Sequence, residues 1–189
     1  MQTIVILGTG GTIAGQAARA DDAVGYRAGA IGVQALIDAV PPLAGQPLEA
    51  EQVAQIDSKD MGPAVWQALA ARAAHHLARP EVAGVVVTHG TDTLEETAWL
   101  LHRVLAPAKP LVLTAAMRPA TALSADGPAN LLDAVTLAAE PGAAGVLAVL
   151  AGQVHGAADL RKGHTLRPEA FTSGEAGPVA LVQDGRVRR

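Results

Sequence analysis

Short apolar runs alternate with longer stretches of helical period along most of this chain. Gln2–Leu7 and Val82–Thr88 are continuous apolar runs, the signature of strands buried on both faces. Leu111–Thr114 and Gly145–Ala151 have the same character, and Glu51–Ile56 alternates weakly. Helical patterns fill the intervals. Ile31–Val40 is stopped by Pro41-Pro42, and the Ala-rich Pro63–Arg79 ends before Pro80. Thr93-Leu94-Glu95-Glu96 fits a capping box, opening a helix that runs to Leu105. Asp126-Gly127-Pro128 opens another, to Ala139, with proline in its first turn. Val179–Val182 and Arg186–Arg189 flank Gln183-Asp184-Gly185, an Asp-Gly hairpin signal. The pattern predicts an α/β fold: a mainly parallel sheet with helices on both faces (Rossmann- or flavodoxin-like) and a C-terminal β-hairpin. Residues 1–189 read as a single domain.

Two of these strands run into glycine-rich turns that carry threonine. The first continues as Gly8-Thr9-Gly10-Gly11-Thr12-Ile13-Ala14-Gly15, the second as Thr88-His89-Gly90-Thr91-Asp92-Thr93. A parallel sheet places its ligands at the carboxyl ends of its strands, so the two turns can face one crevice. The first turn is not a dinucleotide fingerprint, because its third glycine position is Ile13; nor is it a phosphate loop, because Gln16-Ala17 follows Gly15 where Lys and Ser/Thr are needed. No G-x-S-x-G elbow and no H-E-x-x-H occurs. Threonine hydroxyls in such turns suggest nucleophilic chemistry. The bland alternative is that Thr91-Asp92 simply caps a helix. His89 reads as shaping its turn by hydrogen bonding, His75-His76 as solvated, and Lys162 by default as a solvated lysine. Gln16–Ala30 has no clear period, reads as a mobile loop, and holds the only tyrosine, Tyr26.

Composition narrows the chemistry further. A chain of 189 residues that is 50% hydrophobic and 17% charged buries a proper core, and with 2% aromatics that core is built of Val, Leu, Ile and Ala. Net charge is −4 and the only basic cluster is Arg186–Arg189, which argues against a nucleic-acid partner. The absence of cysteine excludes disulfides and thiolate catalysis. Neither a metal nor a cofactor is expected. No apolar run approaches the ~20 residues that span a membrane, so no membrane partner is expected. No signal-peptide pattern is visible, which points to the cytoplasm, or to the periplasm if a leader has been removed.

At the level of motifs, Thr9-Gly10-Gly11-Thr12-Ile13-Ala14-Gly15 and Thr88-His89-Gly90-Thr91-Asp92-Thr93-Leu94-Glu95-Glu96-Thr97 resemble the two signatures of the bacterial-type L-asparaginases. The resemblance extends through Ser58-Lys59-Asp60-Met61, Ala116-Met117-Arg118-Pro119 and Ser124–Leu131, in the family's order. It implies hydrolysis of L-asparagine to L-aspartate and ammonia through an acyl-enzyme, without a cofactor. Thr12 matches the nucleophile and Tyr26 the lid tyrosine that assists it. Thr91, Asp92 and Lys162 match a second threonine and its partners. Ser58 and Asp92 match residues that hold the substrate's α-carboxylate and α-amino groups, and Ala116 a position whose backbone meets the side-chain amide. Backbone N–H groups of the glycine turns, at Gly11 and Gly90, can form an oxyanion hole. A threonine hydroxyl needs a nearby base, and a desolvated lysine is one group that can serve.

The chain departs from the family at Lys59, where glutamine is frequent; a long cation there repels an ammonium or grips a carboxylate, and so bears on substrate preference. The resemblance covers the larger N-terminal domain. The family's smaller C-terminal domain, which completes the site from a neighbouring subunit in dimers or tetramers, has no counterpart in these residues. A homo-oligomer is therefore implied alongside the small-molecule substrate. The remaining alternatives are a non-catalytic domain that binds aspartate or needs a C-terminal domain, a glutaminase-type amidase, and an asparaginase-like subunit of a tRNA amidotransferase.

Overall fold

The computed structural model describes residues 2–22 and 25–189; the part of the expected loop at Ala23 and Val24 lies outside the described residues. In chain order the elements are β1 (Thr3–Gly10), β2 (Gln16–Ala17), β3 (Tyr26–Arg27), α1 (Val33–Asp38), β4 (Leu48–Ile56), α2 (Pro63–Leu77) and β5 (Val82–Thr88). There follow α3 (Leu94–Leu105), β6 (Pro110–Thr114), α4 (Gly127–Ala138), β7 (Gly145–Leu150), β8 (Gln153–Gly156), β9 (Arg161–Lys162), β10 (Phe171–Thr172), β11 (Ala180–Gln183) and β12 (Arg186–Arg188).

An eight-stranded sheet has the order β12-β11-β8-β7-β6-β5-β1-β4. The β4-β1-β5-β6-β7 portion is parallel, and the β8, β11 and β12 strands add to it antiparallel. Side chains of β1 alternate between two cores, as a strand's period of two requires. Ile4 and Ile6 pack with Val33, Leu36 and Ile37 of α1 and Leu131, Ala134 and Val135 of α4. Val5 and Leu7 pack on the other face with Leu69 and Ala73 of α2 and Leu94, Ala98 and Leu101 of α3. Helices thus cover both faces, as the apolar pattern of the strands predicts.

The differences from expectation are local. The first helix is shorter than Ile31–Val40, and β4 begins at Leu48, three residues before Glu51. A short β8, absent from the periodicity reading, turns back from β7 through Ala151-Gly152, both at positive φ. The expected loop contains the ribbon formed by β2 and β3. The hairpin forms where expected, with Asp184 and Gly185 both left-handed. His76 is not solvated: it is buried, and its Nε2 lies 2.8 Å from Glu51 Oε2. The adjacent His75 is exposed, because successive helical positions face different ways.

The Glu51–His76 bond belongs to an ion-pair network that ties the edge strand β4 to α2. The Arg72 guanidinium grips Glu51 bidentately at 2.6 and 2.9 Å. Arg79 does the same to Glu49 at 2.7 and 2.8 Å. Charged side chains along a sheet edge also discourage pairing with another chain. The Arg72 fork, helped by His76, holds the Glu51 carboxyl at about 2, against partial burial that pushes the other way. A carboxyl depressed in the folded state adds stability above its unfolded value of about 4.5, and that stability is lost as pH falls toward 2. Glu51→Gln is predicted to cost about 1 kcal/mol at pH 7, a figure discounted for solvent screening. Urea unfolding at pH 7 and pH 3 should show the smaller loss at pH 3.

Candidate active site

Four adjacent parallel strands end at the same edge of the sheet. The segments that leave them carry Gly11 and Thr12 (after β1), Ser58 (after β4), Thr91 and Asp92 (after β5) and Ala116 (after β6). The order places β4 and β5 on opposite sides of β1, so the chain's direction of travel switches there. That is where a parallel sheet opens a crevice.

The β1 and β5 turns touch backbone to backbone. Gly11 has φ of 78°, and a Cβ there would lie 2.3 Å from the Gly90 Cα. A Cβ on Gly90 would lie 2.3 Å from Ser58 Oγ. Only glycine fits at either place, and at Gly11 it also supplies the left-handed conformation. Gly11 N–H donates to the Ile56 carbonyl at 2.8 Å, which ties the first turn to the end of β4 as well.

Thr12 is buried at the start of a 3-10 turn, and its hydroxyl lies 2.6 Å from the Tyr26 hydroxyl. Tyr26 reaches it from β3, paired with β2 across Ala17↔Tyr26. Its ring lies so close to Gly15 that a Cβ there would be 2.8 Å from a ring carbon. The ribbon is held from the far side by Thr121, whose hydroxyl accepts from Ala17 N–H at 2.9 Å, and by Leu123 N–H, which donates to the Ala20 carbonyl.

Around the second turn, Lys162 Nζ donates to Thr91 Oγ1 at 2.8 Å and to Asp92 Oδ1 at 2.8 Å. Lys162 is therefore not the freely solvated lysine of the default reading. Ser58 Oγ accepts from Asp92 N–H at 3.1 Å. Thr93 donates its hydroxyl to the Ser58 carbonyl at 2.8 Å and makes no side-chain cap, so the expected capping box does not form. The hydroxyl that would cap α3 instead joins two of the turns. Lys59 bonds to Asp57 at 2.7 Å and Asp60 at 3.3 Å, and its hydrogen bonds run to neither threonine cluster. Ala116 is fully buried. Close by, the Asp126 carboxylate accepts from the N–H groups of Met117 and Arg118 at 2.9 and 3.0 Å and so shapes the segment after β6.

Beneath the second turn runs a chain of hydrogen bonds that the motif reading caught only at His89. Trp66 Nε1 can only donate, and it donates to Thr97 Oγ1 at 2.8 Å. The Thr97 hydroxyl is thereby left to donate to His89 Nε2 at 3.0 Å, and His89 Nδ1–H donates to the Gly90 carbonyl at 2.7 Å. Burial pushes the His89 imidazole down to about 4, in keeping with a neutral ring in this tautomer. Trp66 lies on α2, far from the motif in sequence, so no local signal could have found it. Among the described residues, no group of three or more His, Asp or Glu side chains is arranged to hold a metal ion.

The fold is that of a doubly wound α/β protein, with two threonine-bearing turns in contact at its switch point. The model of the asparaginase N-terminal family matches residues 3–189, and the chain belongs to that family. It is 42% identical to L-asparaginase 2 of Bacillus subtilis over 97% of its own length and 50% of the relative's. It is 40% identical to the glutaminase-asparaginase of Pseudomonas fluorescens, over 98% of the chain and 52% of the relative. The crystal structure of a probable cytoplasmic L-asparaginase from Campylobacter jejuni superposes with a TM-score of 0.95 at 43% identity, covering 99% of this chain and 58% of that one. The chain spans about half the length of the curated relatives it matches.

The glycine contact can be tested directly. Gly11→Ala is predicted to destabilise the protein by about 2–5 kcal/mol, from a left-handed alanine and an overpacked turn. Gly62→Ala is the control: nothing lies within 4 Å of a Cβ there, and its φ is −138°. Urea unfolding should find that control within about 1 kcal/mol of the parent.

Proposed function

We propose that this chain carries the nucleophilic machinery of an amidohydrolase that converts L-asparagine to L-aspartate and ammonia. The observation that carries the reading is the pairing of each candidate hydroxyl with its own proton partner, Thr12 with Tyr26 at 2.6 Å and Thr91 with Lys162 at 2.8 Å. In this reading Thr12 Oγ1 attacks the side-chain amide carbon and passes its proton toward Tyr26. An ester forms, the C–N bond breaks, and ammonia leaves with a proton. Water then cleaves the ester, with Thr91 and Lys162 handling its proton, and releases aspartate. The backbone N–H at Gly90 is assigned to the oxyanion, where a donor is worth roughly 10²–10³ in rate; the Gly11 N–H, expected from the motif to share that role, is instead committed to the Ile56 carbonyl. Asp92 is assigned to the substrate ammonium, Ser58 to its carboxylate and Ala116 to its amide.

The same chemistry accepts glutamine if the crevice has room for one more methylene, and a relative named glutaminase-asparaginase supports testing it. One sheet running from Thr3 to Arg188 supports reading residues 1–189 as one domain. A homo-oligomer completing the site remains the assembly that the family resemblance implies. Relatives named cytoplasmic and periplasmic leave both compartments consistent with the reading, and no helix among the described residues is long and apolar enough to cross a membrane.

Ammonia release from asparagine by the purified chain is the direct test. Thr12→Ala is predicted to lower turnover roughly 10⁴-fold or more. Lys162→Met is predicted to lower it roughly 10²–10⁴-fold, the range of a lost proton-transfer group. Parent activity no higher than that of Thr12→Ala, at high enzyme concentration, overturns catalysis by this chain alone. Asparagine and glutamine competing in one assay give the preference.

A further inference from the structure

Lys162 reaches the cluster from outside the main sheet. It lies on β9, a two-residue strand that among the described residues pairs with β10 alone. The base of this ribbon is secured by the buried pair His155 Nδ1 and Ser173 Oγ, 2.8 Å apart, and by burial of Leu160, Ala170 and Phe171. Toward the site it is held differently. Glu95 Oε2 accepts the backbone N–H of Lys162 at 2.5 Å. Glu95 stands in the first turn of α3, three residues after Asp92. One short segment, Thr91–Glu95, therefore binds Lys162 twice, at its ammonium through Thr91 and Asp92 and at its backbone through Glu95.

The two attachments do different work. A lysine stem has enough rotatable bonds to reach a target from many backbone positions, and holding it in one costs rotamer entropy. An ammonium contact alone leaves the ribbon free to shift while the stem compensates. A second contact at the backbone removes that freedom. We infer that Glu95 is a positioning residue for Lys162, setting where its ammonium sits against Thr91 and Asp92 without touching substrate. The inference rests on the proton-transfer role proposed for Lys162. A competing explanation is that the Glu95 charge simply favours the start of α3, where the helix dipole is positive.

The full chain, labelled selectively with ¹⁵N-lysine, separates these explanations. The Lys162 amide resonance is assigned by its loss in Lys162→Arg. In Glu95→Ala that resonance should move upfield, and asparagine turnover should fall roughly 10–100-fold, the cost of a misplaced group. Glu95→Gln keeps an acceptor but no charge, and it should restore both to near the parent. If Glu95→Ala does not fold, Glu95→Asp replaces it: the charge stays at the helix start, but the shorter acid should still move the amide upfield. A Lys162 amide unmoved in Glu95→Ala or Glu95→Asp overturns the inference, as does a Glu95→Gln variant as impaired as Glu95→Ala. An amide that moves, with turnover insensitive to Lys162→Met, leaves the positioning intact and sinks the proton-transfer reading of Lys162 instead.

Discussion

The backbone contact between Gly11 and Gly90 is the constraint on which the site depends. Two strands of a parallel sheet lie about 4.8 Å apart, and the turns that leave them ordinarily diverge as side chains push between them. Here no side chain intervenes. The two turns close on each other, and a Cβ at either would collide with backbone or with Ser58. Thr12 follows Gly11 and Thr91 follows Gly90, so each hydroxyl-bearing residue stands next to the contact that excludes side chains. Gly15 repeats the device on a smaller scale, since its missing Cβ admits the Tyr26 ring against the first turn.

Around that contact the hydroxyls divide by partner. Thr9 donates to the Thr88 carbonyl, Thr93 to the Ser58 carbonyl and Thr114 to the Val149 carbonyl, and each of these bonds cross-links backbone segments. Thr97 relays between Trp66 and His89. Thr12 and Thr91 differ because their partners are a tyrosine hydroxyl and a lysine ammonium, groups that can pass or receive protons. Residue type alone does not make that distinction; the identity of the partner does.

This explains which parts were legible in the sequence. The sheet was, because strands buried on both faces must be apolar throughout, and β1, β5 and β6 are. The hairpin was, because Asp184-Gly185 supplies two left-handed residues. The two turns were visible as glycine-threonine motifs, and the family resemblance joined Tyr26 and Lys162 to them. What stayed hidden shares one property: it is set by a partner distant in sequence. Thr93 and Glu96 satisfy the local rule for a capping box, yet the Ser58 turn takes the Thr93 hydroxyl. His76 stands in a polar helical stretch, yet Glu51 on the edge strand draws it into a buried network. β8 is too short to show a period and depends on pairing with β7.

The placement of Lys162 follows from the same geometry. The strand ends on this edge of the sheet offer glycine turns, hydroxyls, a carboxylate and Lys59, whose ammonium is taken by Asp57 and Asp60. The cation that meets Thr91 comes from elsewhere, because a long side chain inside the turns would break the Gly11–Gly90 contact. The loop after β8 supplies it on a ribbon in which, among the described residues, β9 and β10 form a two-stranded sheet separate from the main one. Such a ribbon lacks the rigidity that hydrogen bonding into a sheet provides, so its registration against the site falls to side-chain contacts. The buried His155–Ser173 bond sets its base, and the Glu95 carboxylate meets the backbone of the very residue that matters. The dense glycine contact at the centre of the site is therefore also the reason an acidic side chain is needed at its margin.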